Sequence, residues 1–225
     1  MKQFFSEIYE SLLKKYGKQN WWPADSIFEV MVGAILVQNT QWFNVKKAIR
    51  NLKDEKILEP RKMALCSEER LATLIVHAGY YNVKSKRLKN FLDFLMINRF
   101  DFYALKIKQR EELREQLLNI NGIGPETADS IMLYALDHKT FVVDAYTRRM
   151  FSRLKKDFSW MTRVTYDELK SFFEENIPDD LYFYNEFHAL IVVHSKDICK
   201  SKPLCGECLF MKKCDYCKMS KKSCS

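Results

Sequence analysis

Five of the chain's seven cysteines fall within nineteen residues, CKSKPLCGECLFMKKCDYC, as Cys199, Cys205, Cys208, Cys214 and Cys217. The spacing is C-x5-C-x2-C-x5-C, followed by one more Cys after two residues. Thiols this close together in a cytoplasmic chain, where disulfides are disfavoured, point to a metal centre. Two centres suit the spacing. Cys205, Cys208, Cys214 and Cys217 could hold zinc as paired CxxC units; Cys199, Cys205, Cys208 and Cys214 could hold a [4Fe-4S] cluster, which also takes four thiolates. Cys66 and Cys224 stand alone, and Cys66 reads as a core residue.

A second chemical feature is INGIGPETADSI, residues 120–131. Gly122 and Gly124 allow positive φ and leave backbone amides uncovered, and Pro125 suits the first position of a helix. Such a turn either joins two helices or binds a phosphate oxygen at the helix N-terminus. It is not a dinucleotide loop, because no strand precedes it and no third Gly follows at the fingerprint spacing. Nineteen residues beyond Pro125, Asp144 follows the apolar run Phe141 to Val143 in KTFVVDAYTRRMFSRL. A carboxylate there caps the next helix, and one held by helix amides beside an apolar wall is also placed to act as an ionised base or electrostatic stabiliser. His188 and His194 precede the cysteines and read as structural histidines.

The elements that must carry these residues are helices. Only six Gly and five Pro accompany 47% apolar residues, and 3.6-type periodicity runs through most of the chain. Helices are expected at 3–16, 27–37, 41–54, 67–77, 84–98, 109–118, 125–137, 144–155, 165–176 and 181–197. Asp25 or Ser26 caps the second, which is apolar on nearly all sides and therefore central. The expectation is an all-α array with a Cys-rich C-terminal appendage. No apolar run is long enough to cross a bilayer, so the expected location is the cytoplasm. Lys and Arg exceed Asp and Glu by 37 to 29, for a net charge of +8. Residues 199–225 hold seven Lys against Glu207 and Asp215, a clustering that favours a polyanionic partner.

LLNINGIGPETADSIMLYA, then FVVDAYTRRMFSRL, then the Cys cluster resemble, in that order, the helix-hairpin-helix (HhH-GPD) DNA glycosylase superfamily, in its endonuclease III branch. The resemblance spans about residues 28–214. It implies two helical domains: a six-helix barrel at 24–137, with the hairpin at about 109–137, and a second domain from 1–23 and 138–225 with a cluster loop at 199–217. It implies a DNA backbone grip at Gly122, Ile123 and Gly124, with Thr127 beside them, a catalytic Asp144, and a [4Fe-4S] cluster on Cys199, Cys205, Cys208 and Cys214. VQNT and GYYNVKSKR match segments that enter the duplex, so Gln38 would fill the gap left by an extruded base and Tyr80 would wedge the opposite side. The partner implied is double-stranded DNA with a damaged base, met by a monomer that is nucleoid-associated when bound.

Two departures stand out. The first two cluster cysteines are separated by five residues where the family usually has six. Glu126 stands where bifunctional members carry the Lys that attacks the sugar and forms a Schiff base, and a carboxylate cannot form that imine. The resemblance therefore implies a monofunctional glycosylase with Asp144 as stabiliser and base; Glu126 is a substitute base, a pocket selector or a first-turn acid favoured by the helix dipole. WWP and QNT also resemble the 3-methyladenine glycosylases of this superfamily, which lack the cluster. Trp22 and Trp42, with Trp21 near them, would then wall a pocket for an electron-poor alkylated purine. Oxidised pyrimidines or mismatches processed with lyase activity, and a non-catalytic DNA-damage binder, are the alternatives.

Overall fold

A computed structural model describes residues 1–222, which are helical and loop with no strand among them; Cys224 lies outside the described residues. Thirteen α-helices follow in order: α1 Lys2–Tyr16, α2 Ile27–Leu36, α3 Trp42–Asp54, α4 Pro60–Leu65, α5 Glu68–Leu74, α6 Tyr81–Ile97, α7 Phe102–Ile107, α8 Arg110–Leu118, α9 Pro125–Tyr134, α10 Ala145–Leu154, α11 Tyr166–Asn176, α12 Leu181–Asp197 and α13 Asp215–Lys222. Short 3-10 turns occupy Val76–Ala78, Lys156–Thr162 and Cys205–Glu207. The chain divides into two compact units, Trp22–His138 and Met1–Trp21 with Lys139–Ser225.

In the Trp22–His138 unit, six longer helices (α2, α3, α5, α6, α8, α9) are joined by the six-residue α4 and α7. α2 is buried from Phe28 through Leu36, as a helix apolar on nearly all faces must be. Its N-terminus is closed by Ser26 Oγ, which accepts from the Glu29 amide at 3.1 Å. α3, α6 and α9 pack on it. Two α6 lysines brace this unit from within: Lys84 Nζ donates to Leu36 O at 2.8 Å and Ala78 O at 2.7 Å, and Lys89 Nζ to Ala64 O and Cys66 O. Burial, with the Arg87 charge, pulls Lys84 down to about 8. Cys66 is buried, as expected.

The unit formed by both termini is centred on phenylalanines. Phe173 packs 5.1 Å from Phe5, 5.1 Å from Phe151 and 5.2 Å from Phe141, ring centre to ring centre. Offset and edge-to-face packing of this kind adds to simple burial. α12 packs against both α1 and α10.

Some boundaries differ from expectation for local reasons. The helix expected over 67–77 ends at Leu74 and tightens to a 3-10 turn before Gly79 takes φ 67. The helix expected from 84 starts a turn earlier, at Tyr81, because Tyr80 turns the chain at φ 47. α9 stops at Tyr134 rather than 137, and Asp137 takes φ 56. The short α4, α7 and α13 lack enough turns to show periodicity.

Candidate active site and thiol cluster

α8 and α9 form the hairpin. Arg114 on α8 holds Asp129 on α9 with two bonds, Nε to Oδ1 at 2.9 Å and Nη2 to Oδ2 at 3.2 Å, and the Asp129 side chain is fully buried. The two glycines of the turn do different work. Gly122 sits at φ 99, and a Cβ there would lie 2.2 Å from Arg87 Cγ, so both conformation and space demand glycine. Gly124 is extended, at φ −92 and ψ 176, and a Cβ there would meet nothing within 4 Å. Its openness leaves the backbone at the α9 N-terminus bare, where a phosphate oxygen would be favoured. Ile123 turns inward: its side chain is buried and its amide donates to Ile120 O at 3.0 Å.

Gln38 is tied to this hairpin. Its Nε2 donates to Gly122 O at 3.0 Å and to Thr127 Oγ1 at 2.9 Å, and its Oε1 accepts from Arg87 Nη1 at 2.5 Å. Thr127, expected to face DNA, is buried and spends its hydroxyl oxygen on Gln38. Tyr80 projects outward with 73% of its surface exposed, from a left-handed backbone rare for a non-glycine residue. Trp22 and Trp42 meet edge to face, ring centres 5.1 Å apart at 84°. Tyr134 lies 5.5 Å from Trp22, and Gly33 lets the Trp22 indole rest on α2, since a Cβ there would approach Trp22 Nε1 to 3.3 Å. Glu126 is exposed in the first turn of α9.

Asp144 belongs to the other unit. It is the N-cap of α10, its Oδ1 accepting from the Thr147 amide at 2.7 Å and the Thr147 hydroxyl at 2.9 Å. Its Oδ2 lies 3.5 Å from His188 Nε2, on α12. Asp144 and His188 are both buried. Burial pushes the Asp144 carboxyl up, but His188 and then the two Thr147 donors outweigh it and hold the group below the ordinary carboxylate value. Capping and ionisation are therefore achieved by the same side chain. His188 faces the carboxylate, not the thiols. His194 is the histidine beside the cysteines, with Nδ1 2.8 Å from Tyr16 Oη and Nε2 3.6 Å from Cys208 Sγ.

Cys199, Cys205, Cys208, Cys214 and Cys217 line one small cavity with Arg153. Among the described residues, no group of three or more His, Cys, Asp or Glu is arranged to hold a single metal ion. α10 grips the loop: Arg149 Nε donates to Cys199 O at 2.8 Å, and Arg153 Nη1 donates to Lys200 O at 2.6 Å and lies 3.7 Å from Cys199 Sγ. Burial, with the neighbouring thiols adding to it, pushes Cys208 up to about 11 and raises Cys205 and Cys214. A cationic centre reverses that balance by drawing thiolates to itself. Thiolates are the donor type that an iron–sulfur cluster takes.

Sequence reading did not single out Arg87, Thr147 or the pairing of His188 with Asp144. Thr147 had a signal, the Asp-x-x-Thr spacing of a helix cap. Arg87 and His188 had none, because their partners lie 49 and 44 residues away in sequence.

Comparison with known proteins agrees with this architecture. Residues 32–179 match the HhH-GPD superfamily of base excision DNA repair proteins. An inferred DNA repair glycosylase of Methanocaldococcus jannaschii is 53% identical over 204 residues, covering 90% of this chain and 91% of that one. The Helicobacter pylori 3-methyladenine DNA glycosylase, solved with 1,N6-ethenoadenine, superposes with a TM-score of 0.72 at 30% identity, over 87% of this chain and 96% of that one. A non-covalent endonuclease III–DNA complex superposes with a TM-score of 0.80 over 99% of each chain, and at 19% identity it speaks to the fold alone. The chain belongs to the HhH-GPD superfamily of base excision DNA repair proteins and is a DNA glycosylase of that superfamily.

Proposed function

We propose that this glycosylase is monofunctional: it extrudes a damaged base, foremost an alkylated purine, from duplex DNA and hydrolyses the N-glycosidic bond with water. The observation that carries the reading is Asp144, a buried carboxylate held ionised by Thr147 and His188 at the head of α10. As the base leaves with the bonding electrons, positive charge develops on the sugar. The Asp144 carboxylate stabilises that charge and takes a proton from the attacking water. Glu126 supports the absence of lyase chemistry, because a carboxylate in this register supplies no amine to attack the sugar.

Base extrusion costs roughly a few kcal/mol. The bare Gly124 backbone supports a phosphate grip, and exposed Tyr80 supports wedging of the opened stack. Gln38 would enter the duplex only by exchanging its three internal bonds for contacts with bases. The edge-to-face Trp22 and Trp42 pair supports a pocket that stacks on an electron-poor purine. The likeness to the Helicobacter pylori enzyme supports the same substrate class. Cys199, Cys205, Cys208 and Cys214 would hold a [4Fe-4S] cluster, whose bonds to thiolate fix the 199–217 loop. The enzyme works in the cytoplasm as a monomer.

The test is a panel of duplexes carrying alkylated purines, oxidised pyrimidines or mismatches, scored for base release with and without alkali and for borohydride trapping. Release of alkylated purine with alkali-dependent nicking and no trapped adduct is expected. A trapped adduct overturns the monofunctional reading, and binding without release from any duplex favours a damage binder.

A further inference from the structure

An ammonium group inside a protein is costly, because burial strips it of water. Lys84 is 1% exposed, and an apolar side chain of similar length would fill the same space without that cost, so its contacts are what distinguish it. Those contacts join two separate segments. Nζ donates to Leu36 O, at the last residue of α2, and to Ala78 O, at the end of the 3-10 turn Val76–Ala78. The Thr40 amide, which a continued α2 would direct at Leu36 O, donates to Val37 O instead, and the Lys84 ammonium serves the Leu36 carbonyl. The Lys84 amide donates in turn to Tyr80 O at 2.9 Å. Two residues beyond each clamped carbonyl stands one of the two wedge residues, Gln38 after Leu36 and Tyr80 after Ala78. Both tips hold left-handed backbone, Asn39 at φ 53 and Tyr80 at φ 47, and such conformations persist only where the surrounding structure fixes them. One turn along α6, Arg87 Nη1 donates to Gln38 Oε1.

We propose that Lys84 is a positioning residue that clamps the Gln38 and Tyr80 loops into one frame, so that the two side chains meet the duplex together. The inference rests on the wedge roles proposed above and deepens them. Because the clamp holds backbone carbonyls, it persists when Gln38 gives up its bonds to Gly122 O and Thr127 Oγ1, and the freed side chain swings from a fixed root. Tips held at one spacing enter the stack already ordered. Tips that drift independently must be ordered during the opening itself, which adds their lost conformational freedom to the cost of extrusion.

The test uses the full chain and a duplex with a tetrahydrofuran abasic site opposite 2-aminopurine, a base that fluoresces when unstacked, with circular dichroism to verify folding. Saturating wild type is expected to raise the fluorescence several-fold, and Lys84→Met less than half as much, while the two bind single-stranded DNA of the same sequence equally. In a chain that already carries Gln38→Ala and Tyr80→Ala, adding Lys84→Met is expected to lower the signal no further. A Lys84→Met signal equal to that of wild type overturns the proposal. So does a matching loss of single-strand binding, or a further loss of signal in the triple variant, either of which marks a general structural defect. Hydrogen exchange in the unaltered protein gives a second reading that does not depend on Lys84→Met folding. Adding the abasic duplex is expected to slow exchange at 37–40 and at 79–82 together, and slowing in one loop alone overturns the proposal. If Gln38→Ala with Tyr80→Ala raises the fluorescence as wild type does, or if neither loop is protected, the wedge reading itself fails and the proposal with it. That result is distinguishable from a clamp that fails while both wedge residues still enter the duplex.

Discussion

Asp144 divides its oxygens between two tasks, Oδ1 closing α10 through Thr147 and Oδ2 facing His188. Asp144→Asn preserves much of the cap but removes the charge. Single-turnover base release is expected to fall by roughly a hundredfold or more, with duplex affinity little changed. The same variant reports the electrostatics. A carboxyl held below its unfolded value contributes stability that is fully present above the unfolded value and is lost as pH falls through the folded one. The gap in melting temperature between wild type and Asp144→Asn should therefore shrink as the pH drops below about 4. His188 acts through Asp144. If the 3.5 Å contact of His188 Nε2 with Asp144 Oδ2 carries the about 1.5–3 kcal/mol of a hydrogen bond to a charged group, His188→Leu should slow release roughly ten- to a hundredfold. His188→Gln, which restores a donor at the same reach, should recover most of the rate. If Leu and Gln are equally slow, packing rather than the donor explains the residue. The cap was legible in the sequence because it is local; the histidine was not, because only the packing of α12 on α10 brings it there.

The hairpin shows how one element separates folding from function at two neighbouring glycines. Gly122→Ala puts a methyl group 2.2 Å from Arg87 Cγ in a left-handed conformation, so Arg87 must move and release Gln38. The strained backbone alone costs about 1–3 kcal/mol, and a drop in melting temperature is expected together with weaker DNA binding. Gly124→Ala meets open space and an extended backbone, so the melting temperature should hold while affinity for an abasic-site duplex falls. If Gly124→Ala binds as wild type does, no phosphate approaches that amide. Sequence periodicity located ten of the thirteen helices among the described residues to within a few residues, most of them long enough to repeat an apolar face. It missed α13, and also α4 and α7, where six residues give under two turns. It also could not show that Gln38 and Thr127 hold each other, since nothing in either local segment encodes the other. Lys84 was equally silent: a lysine in a basic stretch reads as surface until α2 and the 3-10 turn close over it.

Across the chain, excess positive charge is a sequence-independent attraction for DNA, and five of the eight net charges fall in residues 199–225. Contacts of this kind release counterions, so the logarithm of affinity falls with the logarithm of salt by about 0.9 for each phosphate neutralised. Lys200, Lys202 and Lys212 are exposed. Changing all three to Glu lowers the net charge by six, from +8 to +2, without touching Asp144, the hairpin or a cysteine. If these side chains meet phosphate, the salt slope should flatten by roughly 2–3. Affinity for damaged and undamaged duplexes should fall by the same factor, and release at saturating enzyme should stay at the wild-type rate. The ratio of the two affinities is the informative quantity, because phosphate contacts position a protein without reading the base. A fall confined to the damaged duplex would mean that these lysines take part in recognising the lesion. That would move part of the specificity away from Trp22 and Trp42 and into the C-terminal loop.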